Sequence, residues 1–291
     1  MFESAKTLLE QAGVVLQEAQ AFDQAFPMQK AIEQAVAQKR HTVILGGGDG
    51  TLGTAVDLIA GSETALAVMP LGTGNQFARE IGIGHDIRAA VTAISEGGIA
   101  KMDLGRANGN GFLTVATLGL STHIARNMVG KKQVGQLAYL PGLVRGFLAS
   151  KPFEVEIVTD HVTVKKRAIQ IVVCNGRTHA GPFWASPDAT ATDGMLDTYA
   201  VADMNPVQLA KAASLALVGK HVDLPDVSAV KAAKLTIRTD PQMPLTVDGE
   251  EIWHDEMVFT LESGGILVHV PPHYRCPDDR WLVAPRALQN P

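Results

Sequence analysis

The chain has 291 residues, of which 46% are hydrophobic, so it has enough apolar material for a packed core and is long enough for two domains. Its formal net charge of −5 gives no general attraction to nucleic acid, and nucleic-acid binding is therefore disfavoured. There is no secretion-signal pattern, no apolar run of membrane-spanning length and no paired-cysteine motif. We expect a cytoplasmic protein whose membrane contact is peripheral.

The first hundred residues alternate between helical and strand patterns, which is typical of a parallel sheet covered by helices. The predicted elements are, in chain order, helix 4–12, strand 14–18, helix 28–38, buried strand 41–45, helix 51–60, strand 65–69, helix 76–80 and helix 86–96. This pattern predicts a Rossmann-like α/β domain over residues 1–105.

From residue 106 onward, short strand patterns dominate, and they predict a second, mainly β domain over residues 106–271. A hairpin turn is expected at Asn108-Gly-Asn-Gly111. The predicted strands are 153–158, 168–174, 195–201, 234–238, 245–247, 257–261 and 266–270. A helix is expected at 206–219, capped by Asn205. Apolar residues at helical spacing over 137–148 fit a core-facing helix or one that touches a membrane.

Two glycine-rich turns each follow an apolar strand and precede a helix. The first, Gly46-Gly-Gly-Asp-Gly50, can point backbone N–H groups at a phosphate, and a divalent metal on that phosphate would explain the charge of Asp49. A dinucleotide fold is a weaker interpretation, because no acid ends the strand at 65–69. A Walker-type loop is excluded since no Gly-Lys-Ser/Thr follows. An alternative to phosphate binding is that the glycines serve only to form tight turns.

The two turns together carry a resemblance to a known family. Gly47-Gly-Asp-Gly-Thr51, followed by Pro70-Leu-Gly-Thr-Gly-Asn-Gln-Phe-Ala-Arg79, resembles the paired signature of the diacylglycerol kinase catalytic-domain family, which includes bacterial lipid kinases and sphingosine kinases. Further motifs follow in the family's order: Met102-Asp-Leu-Gly105, Gly135-Gln-Leu-Ala-Tyr139, Cys174-Asn-Gly176, Asp193-Gly-Met-Leu-Asp197 and Val247-Asp-Gly-Glu250. The resemblance covers nearly the whole chain and implies an NAD kinase-like architecture with a C-terminal β-sandwich.

The resemblance implies that both turns border an ATP site. The residues expected around the phosphates are Gly47, Gly48, Asp49, Gly50, Thr51 and Thr73, with Gly72, Gly74 and Asn75 shaping the second turn. Asp49 would face the catalytic Mg²⁺, which neutralises charge on the transferred phosphoryl group. ATP would lie between the two domains, and residues 272–291 would return to the first domain.

The remaining site residues are also implied by the resemblance. Glu250 would be the general base that takes the proton from the lipid hydroxyl. Asp193, with the backbone carbonyls of Thr190 and Met195, would hold a second, structural Mg²⁺. Asp103 would belong to the carboxylate network between that ion and the active site.

The expected function is an ATP-dependent lipid kinase that phosphorylates a lipid hydroxyl, such as that of diacylglycerol, at a membrane surface. The oligomeric state is left open, with a homodimer as one option. Two departures from the family are expected to affect turnover more than fold: the Asn-Pro-x-Ser/Ala-Gly turn of the family's first strand has no counterpart, and Leu52-Gly-Thr54 replaces Leu-Asn-Glu. Alternatives are a non-catalytic nucleotide- or lipid-binding protein on the same scaffold, and a soluble-substrate kinase of the NAD kinase type.

Overall fold

The structure, a computed structural model, describes residues 2–119, 151–177, 190–216, 219–247 and 250–284. The apolar segment at 137–148 lies outside them. The chain forms two compact units: unit 1 comprises Met1–Leu104 and Glu262–Pro291, and unit 2 comprises Gly105–Leu261. None of the described helices is both long enough and apolar enough to cross a membrane.

Helices and strands alternate in the first part of the chain, and strands predominate after it. The α-helices of the described residues are α1 Phe2–Gln11, α2 Ala25–Ala37, α3 Asp49–Ile59, α4 Gln76–Glu80, α5 Ile87–Ser95 and α6 Pro206–Ala216. The strands are β1 Thr42–Gly47, β2 Ala65–Pro70, β3 Gly98–Ala107, β4 Asn110–Phe112, β5 Val115–Gly119, β6 Phe153–Thr159, β7 Thr163–Cys174, β8 Leu196–Ala202, β9 Val227–Ala232, β10 Lys234–Asp240, β11 Leu245–Val247, β12 Glu250–Ile252, β13 Met257–Val270 and β14 Trp281–Val283.

Unit 1 is an α/β layer, as predicted. β1 and β2 run parallel and pair from Thr42↔Ala65 to Gly47↔Pro70, so the glycine turns that follow these strands start at the same edge of the sheet. Helix α3 connects the two strands and buries a stripe at helical spacing, Leu52, Ala55, Val56 and Ile59. β2 is buried along its whole length because it pairs with β1 on one side and with β13 on the other.

Strand β1 has the predicted position but not the predicted burial. Only Leu45 is fully buried in it. The reason is its place in the sheet: among the described residues β1 pairs with β2 alone, at the end of the strand order. One face and one edge of the strand are therefore less covered than those of β2.

The short strand predicted at 14–18 is wrong. Those residues are in neither helix nor strand, and Val15 is 87% exposed. The backbone at this point ends α1 instead: Gly13 takes a left-handed φ of 79°, and the Val14 N–H donates to the Leu9 carbonyl at 3.0 Å.

The two strands predicted at 257–261 and 266–270 form one continuous strand, β13. Two hydrogen bonds hold the intervening glycines within the strand: the Gly264 N–H donates to Asp103 Oδ1 at 2.8 Å, and the Gly265 carbonyl accepts from the Gly61 N–H at 2.9 Å. Gly264 takes a left-handed φ of 63°, which glycine adopts readily, and the strand continues through it.

Unit 2 is mainly β, as predicted, and its strands pair antiparallel. β6, β7, β5 and β11 are successive neighbours, and β8 and β9 continue from β7. Its core includes Phe112 and Phe259, whose rings meet edge to face with centroids 6.4 Å apart. The predicted hairpin turn is present between β3 and β4, and helix α6 begins at the predicted cap, where Asn205 Oδ1 accepts from the Val207 and Gln208 N–H groups.

Unit 1 buries a histidine, and this gives a pH prediction. His269 is 6% exposed, and its Nε2 lies 3.0 Å from Thr42 Oγ1; burial, with the nearby His41, lowers the pKa of His269 to about 4. The unfolded chain takes up a proton near pH 6.5 and the folded chain does not, so stability falls as the pH drops from 6.5 towards 4. We expect a loss of about 2–3 kcal/mol, measured by urea unfolding at pH 7 and pH 4.5.

The variant His269→Gln should lose most of this pH dependence, whereas the exposed His161→Gln should keep it. If the free energy of unfolding falls equally between pH 7 and pH 4.5 in His269→Gln and in the unmodified protein, other groups cause the acid sensitivity.

Candidate functional site

The two glycine turns of unit 1 touch each other through their backbones. A methyl group added to Gly72 would stand 2.3 Å from the Gly48 Cα, and one added to Gly48 would stand 3.1 Å from the Gly72 Cα. Real side-chain carbons do not approach backbone atoms at the first of these distances. The contact therefore requires glycine at position 72 and brings the two turns into one surface.

Asn75 holds the second turn closed. Its backbone is left-handed, with φ 46°, and its side chain is only 2% exposed. Its Oδ1 accepts from the Gly72 N–H and its Nδ2 donates to the Gly72 carbonyl, both at 2.9 Å. Because donor and acceptor are both engaged by the same residue, the amide has one orientation and the turn has one shape.

Asp49 connects the two turns. It is the first residue of α3, and its Oδ1 accepts from the Phe77 N–H at 3.2 Å, near the start of α4. A methyl group on Gly74 would lie 2.9 Å from Asp49 Oδ2, so the carboxylate fills the space beside the second turn. Burial raises the pKa of Asp49, and the backbone N–H groups of Phe77 and Gln76 oppose that rise.

The other predicted nucleotide residues lie on the same surface. Gly47 packs against Thr51, because a methyl group there would stand 2.5 Å from Thr51 Oγ1. Gly50 and Thr73 are exposed. The structure thus brings all the residues predicted to bind the phosphates together in unit 1, and the glycines leave the backbone accessible where side chains would otherwise stand.

His85 is a neighbour of this surface that sequence reasoning did not single out. Its Nδ1 lies 3.1 Å from Asn75 Nδ2. The amide of Asn75 is fixed by Gly72, so Nδ1 of His85 must be the acceptor. The signal that could have indicated this contact is the short α4, which is followed by Gly82 and Gly84, both with left-handed backbone.

The residues predicted to hold a structural metal form a tight turn in unit 2. Asp193 Oδ1 accepts from the Met195 N–H at 3.0 Å, and the Asp193 N–H donates to the Thr190 carbonyl at 3.3 Å. The Lys231 ammonium is 3.8 Å from Asp193 Oδ2. Over the described ranges, no group of three or more His, Cys, Asp or Glu side chains is arranged to hold a metal ion.

Asp103 lies in unit 1, where it is 1% exposed. Its Oδ1 accepts from Nη1 of Arg280 and from the Gly264 N–H. Arg280 also donates from Nη2 to Ser263 Oγ at 2.9 Å. The pair joins the C-terminal segment of unit 1 to β3 and β13, and a role of Asp103 in a metal network stays a prediction.

Glu250 lies in unit 2 as the first residue of β12, where its backbone pairs with Val247 of β11. Residues 248–249 lie outside the described ranges. The Val247-Asp-Gly-Glu250 motif thus connects two short paired strands, and a catalytic role of Glu250 stays a prediction.

A cavity of about 360 Å³ also lies in unit 1, away from both glycine turns. Its lining includes Ser62, Glu63 and Lys101.

Comparison with known proteins places this geometry in a family. The model of the diacylglycerol kinase catalytic domain matches residues 1–107, and that of the YegS C-terminal NAD kinase beta sandwich-like domain matches residues 115–268. A diacylglycerol kinase of Bacillus subtilis (strain 168) is 30% identical over 227 residues, which are 76% of this chain and 74% of that protein. A probable lipid kinase YegS-like of Shewanella frigidimarina (strain NCIMB 400) is 28% identical over 86% of this chain and 82% of its own length.

The crystal structure of a diacylglycerol kinase from Bacillus anthracis str. Sterne has the same fold. It superposes with a TM-score of 0.73 at 21% identity and covers 94% of this chain and 93% of that one. The paired glycine turns, the two matched domain models and the shared fold agree with the resemblance seen in the sequence. The chain belongs to the diacylglycerol kinase catalytic-domain family.

Proposed function

We propose that this chain, a lipid kinase by its family, transfers the γ-phosphate of ATP to a hydroxyl group of a lipid presented at a membrane surface. The observation that supports this most directly is the contact between Gly48 and Gly72, which joins two glycine turns into one backbone surface. Such surfaces suit phosphate groups, because N–H groups can approach them without side chains in the way.

The phosphate end of ATP fits the residues present. Gly48 is the N-terminal cap of α3, so the positive end of that helix adjoins the turn, and the exposed Gly50 and Thr73 lie beside it. Asp49 is the carboxylate that would face Mg²⁺ on the phosphates. A Mg²⁺ ion bound there would supply charge neutralisation for the transferred phosphoryl group.

In the proposed reaction, Glu250 acts as the general base. A carboxylate at this position would accept the proton of the attacking hydroxyl late in the transfer and orient that oxygen towards the phosphorus. This role follows from the Val247-Asp-Gly-Glu250 motif and the family membership.

The proposal is tested by incubating the purified protein with labelled ATP, Mg²⁺ and a total lipid extract in detergent micelles, and identifying the products by mass spectrometry. We expect a labelled phospholipid and stimulation by micelles. Transfer only to a water-soluble acceptor, without micelle stimulation, would instead indicate a kinase of the NAD kinase type. ATP binding with no transfer to either acceptor would indicate a non-catalytic nucleotide-binding protein.

Asp49→Asn should separate the structural role of this side chain from its catalytic one. Asparagine still offers an oxygen to the Phe77 N–H, so the free energy of unfolding should change little, while loss of the negative charge should lower kcat with MgATP at least about tenfold. Asp49→Ala should lose both functions, and its free energy of unfolding should fall by about 0.5–2 kcal/mol more. Urea unfolding measures the change in the free energy of unfolding, and steady-state kinetics measure the change in kcat.

If Asp49→Asn and Asp49→Ala are equally destabilised but turn over normally, the carboxylate serves only to connect the turns.

A further inference from the structure

A lysine stands beside the turn in unit 2 where the family resemblance implies a structural Mg²⁺. Lys231 lies on β9 directly opposite Asp197 on β8, and its Nζ is 3.2 Å from Asp197 Oδ1 and 3.8 Å from Asp193 Oδ2. One ammonium group therefore contacts both carboxylates. The contact with Asp197 comes from strand pairing, which fixes the position of the lysine stem.

The two carboxylates need a cation at this place. Asp197 is only 3% exposed, and burial raises its pKa. The Lys231 ammonium opposes that rise, whereas the neighbouring charge of Asp193 adds to it. Carboxylates in this arrangement repel each other unless a positive charge lies between or beside them. Lys231 supplies that charge from within the chain.

Two of the oxygen atoms that would bind Mg²⁺ already accept hydrogen bonds within the turn. A magnesium ion requires near-ideal octahedral oxygen ligands at short distances. In this turn Asp193 Oδ1 accepts from the Met195 N–H, and the Thr190 carbonyl accepts from the Asp193 N–H. Asp193 Oδ2 faces the lysine. An ion bound to Oδ2 would stand next to an ammonium group and be repelled by it. The arrangement does not fit a divalent ion.

We propose that in this chain the ammonium of Lys231 takes the place of the structural divalent cation at the Asp193 turn, so that unit 2 is stable without bound metal. The proposal concerns unit 2 alone and is independent of any Mg²⁺ that accompanies ATP. It predicts a lipid kinase scaffold whose folding does not depend on magnesium while its phosphoryl transfer does.

The test compares melting temperatures in EDTA and in millimolar MgCl₂ without nucleotide. The unmodified protein should melt at the same temperature in both. Lys231→Met, which keeps the apolar stem and removes the charge, should melt several degrees lower in EDTA and recover with Mg²⁺ or Mn²⁺. Adding Asp193→Asn to Lys231→Met should abolish the recovery. Lys234→Met, at an exposed lysine on β10, the next strand in the sequence, is the matched control and should behave as the unmodified protein.

Mn²⁺ electron paramagnetic resonance provides an independent readout. In the unmodified protein without nucleotide, the spectrum should show no stoichiometrically bound Mn²⁺ at Asp193. A stoichiometrically bound Mn²⁺ that is lost in the Asp193→Asn variant would overturn the proposal. So would a lower melting temperature of the unmodified protein in EDTA, or a Lys231→Met variant that is stable and insensitive to metal.

If Lys231→Met does not fold without metal but folds with it, the proposal is supported. If it folds in neither condition, Lys231→Arg decides: a stable, metal-insensitive arginine variant supports the proposal, and a metal-dependent one overturns it.

Discussion

Replacing Glu250 by glutamine should lower kcat by about 10²–10⁴-fold, with little change in the KM for ATP or in the melting temperature. Glutamine has nearly the same shape as glutamate but cannot accept the proton of the attacking hydroxyl. The substitution should not disturb the fold, because β12 is joined to β11 through the backbone at Glu250 and Val247. Steady-state kinetics with micellar lipid measure kcat and KM, and thermal unfolding measures the melting temperature.

Glu251→Gln is the matched control, since it removes the same charge from the adjacent residue of β12. Its kcat should stay close to that of the unmodified enzyme. If kcat falls equally in both variants, the loss of activity comes from removing a negative charge in this region, and Glu250 has no special role as a base.

Replacing Gly72 by alanine should abolish measurable ATP binding while leaving unit 2 intact. The added methyl carbon would stand 2.3 Å from the Gly48 Cα, 2.8 Å from Asn75 Oδ1 and 3.0 Å from the Gly48 nitrogen. Two of these neighbours are backbone atoms, so the turns must separate. We expect the loss to appear as at least a hundredfold increase in the Kd for ATP, or about 2.7 kcal/mol, by calorimetric titration.

Gly46→Ala is the control for this experiment, because it lies in the same stretch and its added methyl would meet only the end of a side chain, Leu71 Cδ1 at 3.0 Å. That atom can move at low cost. Near-normal ATP binding by both variants would show that the contact between the turns is not needed for nucleotide binding.

The parts of this molecule that the sequence predicts well are those set by local rules. The glycine turns were recognisable because each cluster of glycines follows an apolar strand and precedes a helix, a pattern that adjacent residues are enough to show. The cap at Asn205 and the hairpin turn at Asn108-Gly-Asn-Gly111 were predictable for the same reason, since both depend on residues within a few positions.

The parts that were not predictable depend on partners far along the chain. The pattern at 257–270 looked like two strands, because the contacts that hold Gly264 and Gly265 within one strand come from Asp103 and Gly61. The burial of β1 depends on its place in the sheet, and the hydrophobicity of its residues does not reveal it. Lys231 belongs to no motif, and it lies near Asp193 because strand pairing places it opposite Asp197.

The division of unit 1 into two stretches of sequence has a consequence for synthesis of the chain. Asp103 and Arg280 are 177 residues apart, and the second part of β13 and β14 are translated after unit 2. At a synthesis rate of about 5–20 residues per second, Arg280 is translated roughly 10–35 s after Asp103. Unit 2 can leave the ribosome complete in the meantime. Unit 1, although its first stretch is translated before unit 2, is therefore expected to complete its folding after unit 2.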